Sequence, residues 1–166
     1  MTDGARRIVA FLVALGVFAL DRWTKWIVET QFGAYDTKTV IPGFFNIVHS
    51  QNPGVAFGMF AATSSRSRTP LLIGLSIVAV ALLAGMLWRI DRLDTASATG
   101  LALIFGGAMG NVFDRVRAGS VTDFLDFYAG SWHWYTFNLA DASICTGAGL
   151  LILSMLLSQH KREARA

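Results

Sequence analysis

Four apolar stretches, at about residues 8–28, 70–88, 98–113 and 138–157, limit what this chain can fold into. Each is close to the roughly 20 residues a helix needs to cross the hydrocarbon layer of a bilayer. Hydrophobic residues make up 54% of the 166, more apolar surface than one soluble core of this size uses, so the surplus calls for a lipid-facing surface. The pattern predicts a membrane all-α protein. It would be one membrane-embedded domain over 1–166, built as a four-transmembrane-helix bundle with outer connections at roughly 29–69 and 114–137. No internal repeat or low-complexity tract divides it.

Four crossings place both termini on one side. Arg6, Arg7, Arg89, Arg92, Lys161, Arg162 and Arg165 all fall on that side, so it is expected to be cytoplasmic. The net charge of +3 is therefore a topology signal, and no basic stripe suited to nucleic acid is present. Arg6 and Arg7 before an apolar run resemble the start of a signal peptide. Asp21-Arg22-Trp23 stands where small residues would mark cleavage, so the run is expected to be a retained helix. The single cysteine, Cys145, has no partner for a disulfide and no C-x-x-C neighbour; it is expected to be a small core residue.

The first outer connection contains strand-like material. Lys38 to Ile41 and Phe44 to His49 flank a Pro42-Gly43 turn and predict a small sheet at the membrane surface. Asn52-Pro53-Gly54 breaks that pattern, and Val55 to Phe60 is expected to turn back toward the bilayer. Thr63 to Thr69 reads as a solvated loop leading to Pro70 at a helix start. In the second connection Trp132, Trp134 and Tyr135 favour the membrane interface.

Polar residues inside or beside the apolar runs are the candidates for chemistry. Asp21 and Lys25 lie four apart on one face of the first helix, and pairing offsets a burial cost of about 2.5–3.5 kcal/mol each at the bilayer centre. A purely structural ion pair satisfies that spacing too. Gly106 and Gly110 fit a small-x-x-x-small packing face. Asn111 and Arg115, also four apart, present an amide and a guanidinium suited to a backbone carbonyl or a carboxylate. Asn138 is placed to cap the fourth helix, with Asp141 in its first turn, where the helix dipole favours a carboxylate.

Capping alone accounts for Asp141, and a loop aspartate needs no special role, but Asp123 and Asp141 together suggest more. Two carboxylates that share one proton supply a base and an acid for water attack on an amide. No competing Ser-His arrangement is evident, since His49, His133 and His160 fall in loops or the tail, and no H-E-x-x-H or other metal-ligand spacing occurs.

Five segments in order, Asp21-Arg22-Trp23-Thr24-Lys25, Asn52 to Phe57, Gly106 to Arg115, Val121-Thr122-Asp123-Phe124 and Phe137 to Asp141, resemble the bacterial lipoprotein signal peptidases, or signal peptidase II. The resemblance covers almost the whole chain. Pro53 stands where many members carry another residue. The resemblance implies a cofactor-free aspartic endopeptidase of the bacterial cytoplasmic (inner) membrane. Its substrates would be diacylglyceryl-modified prolipoproteins, cut on the N-terminal side of the lipobox cysteine. It places the catalytic pair on Asp123 and Asp141 and supporting roles on Asn52, Gly54, Asn111, Arg115, Asn138, Asp114, Asp21 and Lys25. It also implies an outer β-cradle, a surface half-helix, contact with membrane lipids, inhibition by globomycin-type cyclic peptides and a monomeric state. Phe44, Phe45, Phe57 and Phe60 either clamp substrate or bury one another in the sheet. Two other classes fit the residues alone: an ion-path subunit lined by Asp21, Lys25, Asp114, Arg115 and Asp141, and a membrane scaffold packed on the glycine face.

Overall fold

The computed structural model describes residues 2–54, 65–90 and 93–163. The Val55 to Phe60 turn, with Phe57 and Phe60, lies outside these, as do Arg92 and Arg165. Within the described residues four long helices carry the fold: α1 (Asp3–Gln31), α2 (Ser65–Trp88), α3 (Thr95–Ala118) and α4 (Leu139–Glu163). Among the described residues four strands form one sheet: β1 (Thr37–Ile41), β2 (Phe45–Asn52), β3 (Val121–Ala129) and β4 (Trp132–His133), in the order β1-β2-β3-β4 with antiparallel neighbours. None of the described helices is the expected surface half-helix.

Among the described residues three helices are long and apolar enough to cross a membrane, over Thr69–Trp88, Thr95–Ala118 and Leu139–His160. Their outward faces are apolar, with Leu82, Ile152 and Met155 all more than half exposed, as expected of surface that meets lipid rather than water. α1 has 29 residues, about 43 Å of helix, but Asp21, Arg22 and Lys25 interrupt its apolar run.

α3 is the central helix and packs against α1, α2 and α4. It approaches two of them at glycines. A Cβ on Gly106 would lie 2.5 Å from the Ala14 carbonyl oxygen of α1, and one on Gly107 would lie 2.4 Å from the Ala140 carbonyl oxygen of α4. At one end Asp94 caps α3 by accepting from Ala96 N (3.0 Å) and Ser97 N (3.1 Å). Its other oxygen accepts from Ser97 Oγ (2.6 Å) and Ser154 Oγ (2.7 Å), tying α3 to α4. At the far end Gly119, with φ 75°, ends the helix in the left-handed region and turns the chain into β3.

The predicted hairpin is present: β1 and β2 pair across a turn in which Gly43 takes φ 79°. Cys145, expected in the core, is exposed on α4, and two boundaries differ from expectation. Pro70 lies inside α2, which begins at Ser65; the proline costs one intrahelical bond near the helix start, and the polar residues before it carry no apolar signal. The 114–137 connection is mostly ordered backbone, with residues 114–118 in α3 and 121–129 in β3.

Candidate active site

The site forms where β3 meets the start of α4. Phe137 bridges to Leu125, with Leu125 N donating to Phe137 O (2.8 Å) and Phe137 N donating to Leu125 O (3.1 Å). That register brings Asn138 beside Asp123, whose Oδ1 accepts from Asn138 Nδ2 (2.7 Å). Asn138 Oδ1 in turn accepts from Asp141 N (2.9 Å), capping α4 as expected. One asparagine thus contacts Asp123 through its amide nitrogen and fixes the backbone of Asp141 through its oxygen.

The two carboxylates stand on different elements with separate supports. Asp123 Oδ2 accepts from Asn52 Nδ2 (3.1 Å), and Asn52 Oδ1 accepts from Gly54 N (3.0 Å), an Asx turn that follows from Asn-Pro-Gly. Asp141 Oδ1 accepts from Asn111 Nδ2 (2.8 Å) of α3. Asn111 Oδ1 accepts from Lys25 Nζ (3.0 Å) and Asn138 Nδ2 (3.3 Å), so the amide cannot flip without losing both bonds. Arg115 donates to the Gly54 carbonyl (3.3 Å) and lies within electrostatic reach of Asp141, Asp123 and Asp114.

Beneath this layer is a buried ionic cluster. Lys25 Nζ lies 2.8 Å from Asp21 Oδ2 and 2.8 Å from Asp114 Oδ2, and all three side chains are at most 3% exposed. Asp21 Oδ1 accepts from Ala140 N (2.9 Å) in the first turn of α4, and Arg22 pairs with the other oxygen of Asp114. Buried charges persist only when paired and hydrogen-bonded, and here the pairing joins α1, α3 and α4. A Cβ on Gly110 would lie 2.3 Å from Asp21 Oδ2, so this glycine makes room for the cluster.

Asp123 is 3% exposed. Burial, then the negative charge of Asp141, raises its pKa from 3.8 to about 6, against the stabilising bonds from Asn52 and Asn138. A buried carboxyl that titrates near neutrality beside a second carboxylate can hold a proton the other has lost. On the same face of the sheet Phe45, Phe127 and Phe137 stack, with centroids 4.7 and 5.9 Å apart, so Phe45 is engaged within its own sheet.

All ten residues singled out in the sequence fall in this one region. The motifs left out Glu29 and Gln51 and included Thr122 without a role; these three residues line a polar cavity of about 370 Å³ behind β3. Glu29 sits four residues after Lys25 at the end of a helix, and that spacing was the available signal.

Similarity to known proteins covers the same residues. The family model for signal peptidase (SPase) II matches residues 13–157. The lipoprotein signal peptidase of Solibacter usitatus (strain Ellin6076) is 54% identical over 155 residues, 93% of each chain. That of Syntrophus aciditrophicus (strain SB) is 38% identical over 157 residues, 94% of this chain and 98% of the relative. A solved bacterial membrane enzyme superposes with a TM-score of 0.80 at 29% identity, covering 91% of this chain and 89% of that one. A fold, a set of ordered motifs and relatives that agree over nearly their whole lengths leave one assignment: the chain belongs to the signal peptidase II family.

Proposed function

We propose that this protein is an aspartic endopeptidase that removes signal peptides from diacylglyceryl-modified prolipoproteins, with Asp123 and Asp141 as the catalytic pair. Family membership makes the chain a bacterial membrane peptidase of lipoprotein processing. The aspartic chemistry is our reading, and the observation that carries it is that one residue, Asn138, donates to the buried carboxylate of Asp123 and accepts from the backbone of Asp141, holding the two aspartates side by side.

In this reading the ionised carboxylate takes a proton from water as the oxygen adds to the carbonyl carbon of the scissile amide. The protonated carboxyl donates a hydrogen bond to the carbonyl oxygen and then delivers its proton to the departing nitrogen. The C–N bond breaks on the N-terminal side of the lipobox cysteine, leaving a carboxyl terminus on the signal peptide and a free amine on the cysteine. Asn138, Asn52 and Asn111 orient the pair through the bonds described above. Lys25, Asp21 and Asp114 hold Asn111 and the start of α4 in place, and Arg115 fixes the turn at Gly54.

The proposed setting is the bacterial cytoplasmic membrane. α1 is the fourth crossing, with its charges turned inward, both termini are cytoplasmic and the pair lies near the outer face. A substrate that is itself an apolar helix with acyl chains reaches such a site sideways from the bilayer, while water enters from outside. The protein acts as a monomer and binds globomycin-type cyclic peptides.

The test is incubation of the purified full chain with a lipid-modified precursor and its unmodified counterpart, with and without globomycin. Cleavage of the modified precursor alone, blocked by the inhibitor, is expected. Equal cleavage of both precursors would remove the substrate assignment, and no cleavage of either would remove the activity.

A further inference from the structure

We propose that Glu29 and Thr122 form a latch on the back of β3 that positions Asp123 against Asp141, making both residues positioning residues for the cleavage. This rests on the peptidase reading above.

Neighbouring side chains on a strand point to opposite faces, so Thr122 faces away from the aspartate pair. It is 3% exposed and ties three elements. Its hydroxyl donates to Glu29 Oε1 of α1 (2.9 Å) and accepts from Gln51 Nε2 of β2 (3.1 Å), while its backbone N donates to Asp114 Oδ2 of α3 (3.4 Å). Glu29 Oε2 is separately held by Arg117 Nη1 (2.8 Å), whose side chain is 54% exposed.

Two features make β3 depend on this tie. The β2–β3 ladder is irregular between Ile47 and Ser50, and the pair at that break is Ser50 with Asp123. A bulge disrupts the backbone ladder locally, so side chains carry more of the positioning there. Behind the strand lies the cavity bordered by Glu29 and Thr122, space into which β3 recedes if the hydroxyl bond is lost. Asp141 comes from α4, so movement of β3 changes the separation of the pair. The charged groups acting on Asp123 from other elements are Asp141 of α4, Lys25 of α1 and Arg115 of α3.

The experiment measures kcat, KM and the pH profile of precursor cleavage for full-length variants in detergent. Thr122→Val keeps the branched shape and removes the hydroxyl, and is expected to lower kcat about 10- to 100-fold, the scale of a small misplacement, with KM unchanged. Its alkaline limb should move to lower pH as Asp141 repels Asp123 less. Thr122→Ser should restore both. Glu29→Gln keeps an acceptor for Thr122 and should stay near wild type, whereas Glu29→Ala should match Thr122→Val; this pair reads the same bond from its other end if Thr122→Val does not fold. Arg117→Ala should be near wild type. Wild-type kcat in both Thr122→Val and Glu29→Ala, or equal loss in Glu29→Gln and Glu29→Ala, overturns the latch. An inactive wild-type protein would instead refute the peptidase reading.

Discussion

Asp123→Asn should abolish cleavage yet make the folded protein more tolerant of neutral pH. In the wild type the Asp123 pKa is raised from 3.8 to about 6, so between those values the folded state binds more protons than the unfolded state. The contribution of Asp123 to stability is therefore largest below about pH 4 and is lost as pH rises through 6, by about 3 kcal/mol in all. An asparagine does not titrate and escapes that loss. It carries a cost that does not depend on pH. Asn138 is locked by its bond from Asp141 N, so the substituted amide turns its oxygen to Asn138 and its NH2 toward the Asn52 donor, costing about 1–3 kcal/mol. The variant should thus be less stable than wild type at pH 4, and the difference should shift in its favour by about 3 kcal/mol at pH 7. Unfolding free energies of both proteins in the same mild detergent at the two pH values isolate the titrating part. Parallel behaviour, with a difference that moves by less than about 1 kcal/mol, would refute the claim that Asp123 is a buried proton-holding carboxyl.

Other consequences follow from the same geometry. kcat/KM for precursor cleavage should fall above about pH 6, because the pair needs one proton and Asp123 loses its own near there; a profile flat from pH 5 to 8 would contradict this. Lys25→Met leaves Asp21 and Asp114 buried without their shared cation and should destabilise the fold by about 3–5 kcal/mol, read by chemical unfolding in detergent. Gly107→Ala sets a methyl group 2.4 Å from the Ala140 carbonyl oxygen and should cost about 1–3 kcal/mol as α4 is pushed off α3, with a loss of activity because Ala140 adjoins Asp141. Wild-type melting and turnover in that variant would count against the close helix crossing.

Much of the site was legible because its residues lie in short local patterns. Asp21 with Lys25 and Asn111 with Arg115 share a helix face by spacing, and Asn138 with Asp141 is a helix cap. Hydropathy located the apolar cores of the helices. It missed their polar ends, since the first turns of α2 and the last turns of α3 carry no apolar period. β3 was legible only at Val121 to Phe124. Its later residues pair with β2, about 80 residues earlier, and a register of that kind is set by tertiary contacts rather than by local pattern. Asp114 was expected among the supporting residues, but its place between Lys25 and Arg22 depends on how α1 crosses α3. The contact between Thr122 and Glu29 was unreadable for the same reason, the two being 93 residues apart.

The most direct measurement is cleavage of a diacylglyceryl-modified precursor by wild type, Asp123→Asn and Asp141→Asn, prepared identically and checked for folding by thermal unfolding. Each single substitution should remove turnover while the protein still unfolds cooperatively. Wild-type rates in either folded variant would show that amide hydrolysis does not depend on two carboxylates sharing a proton.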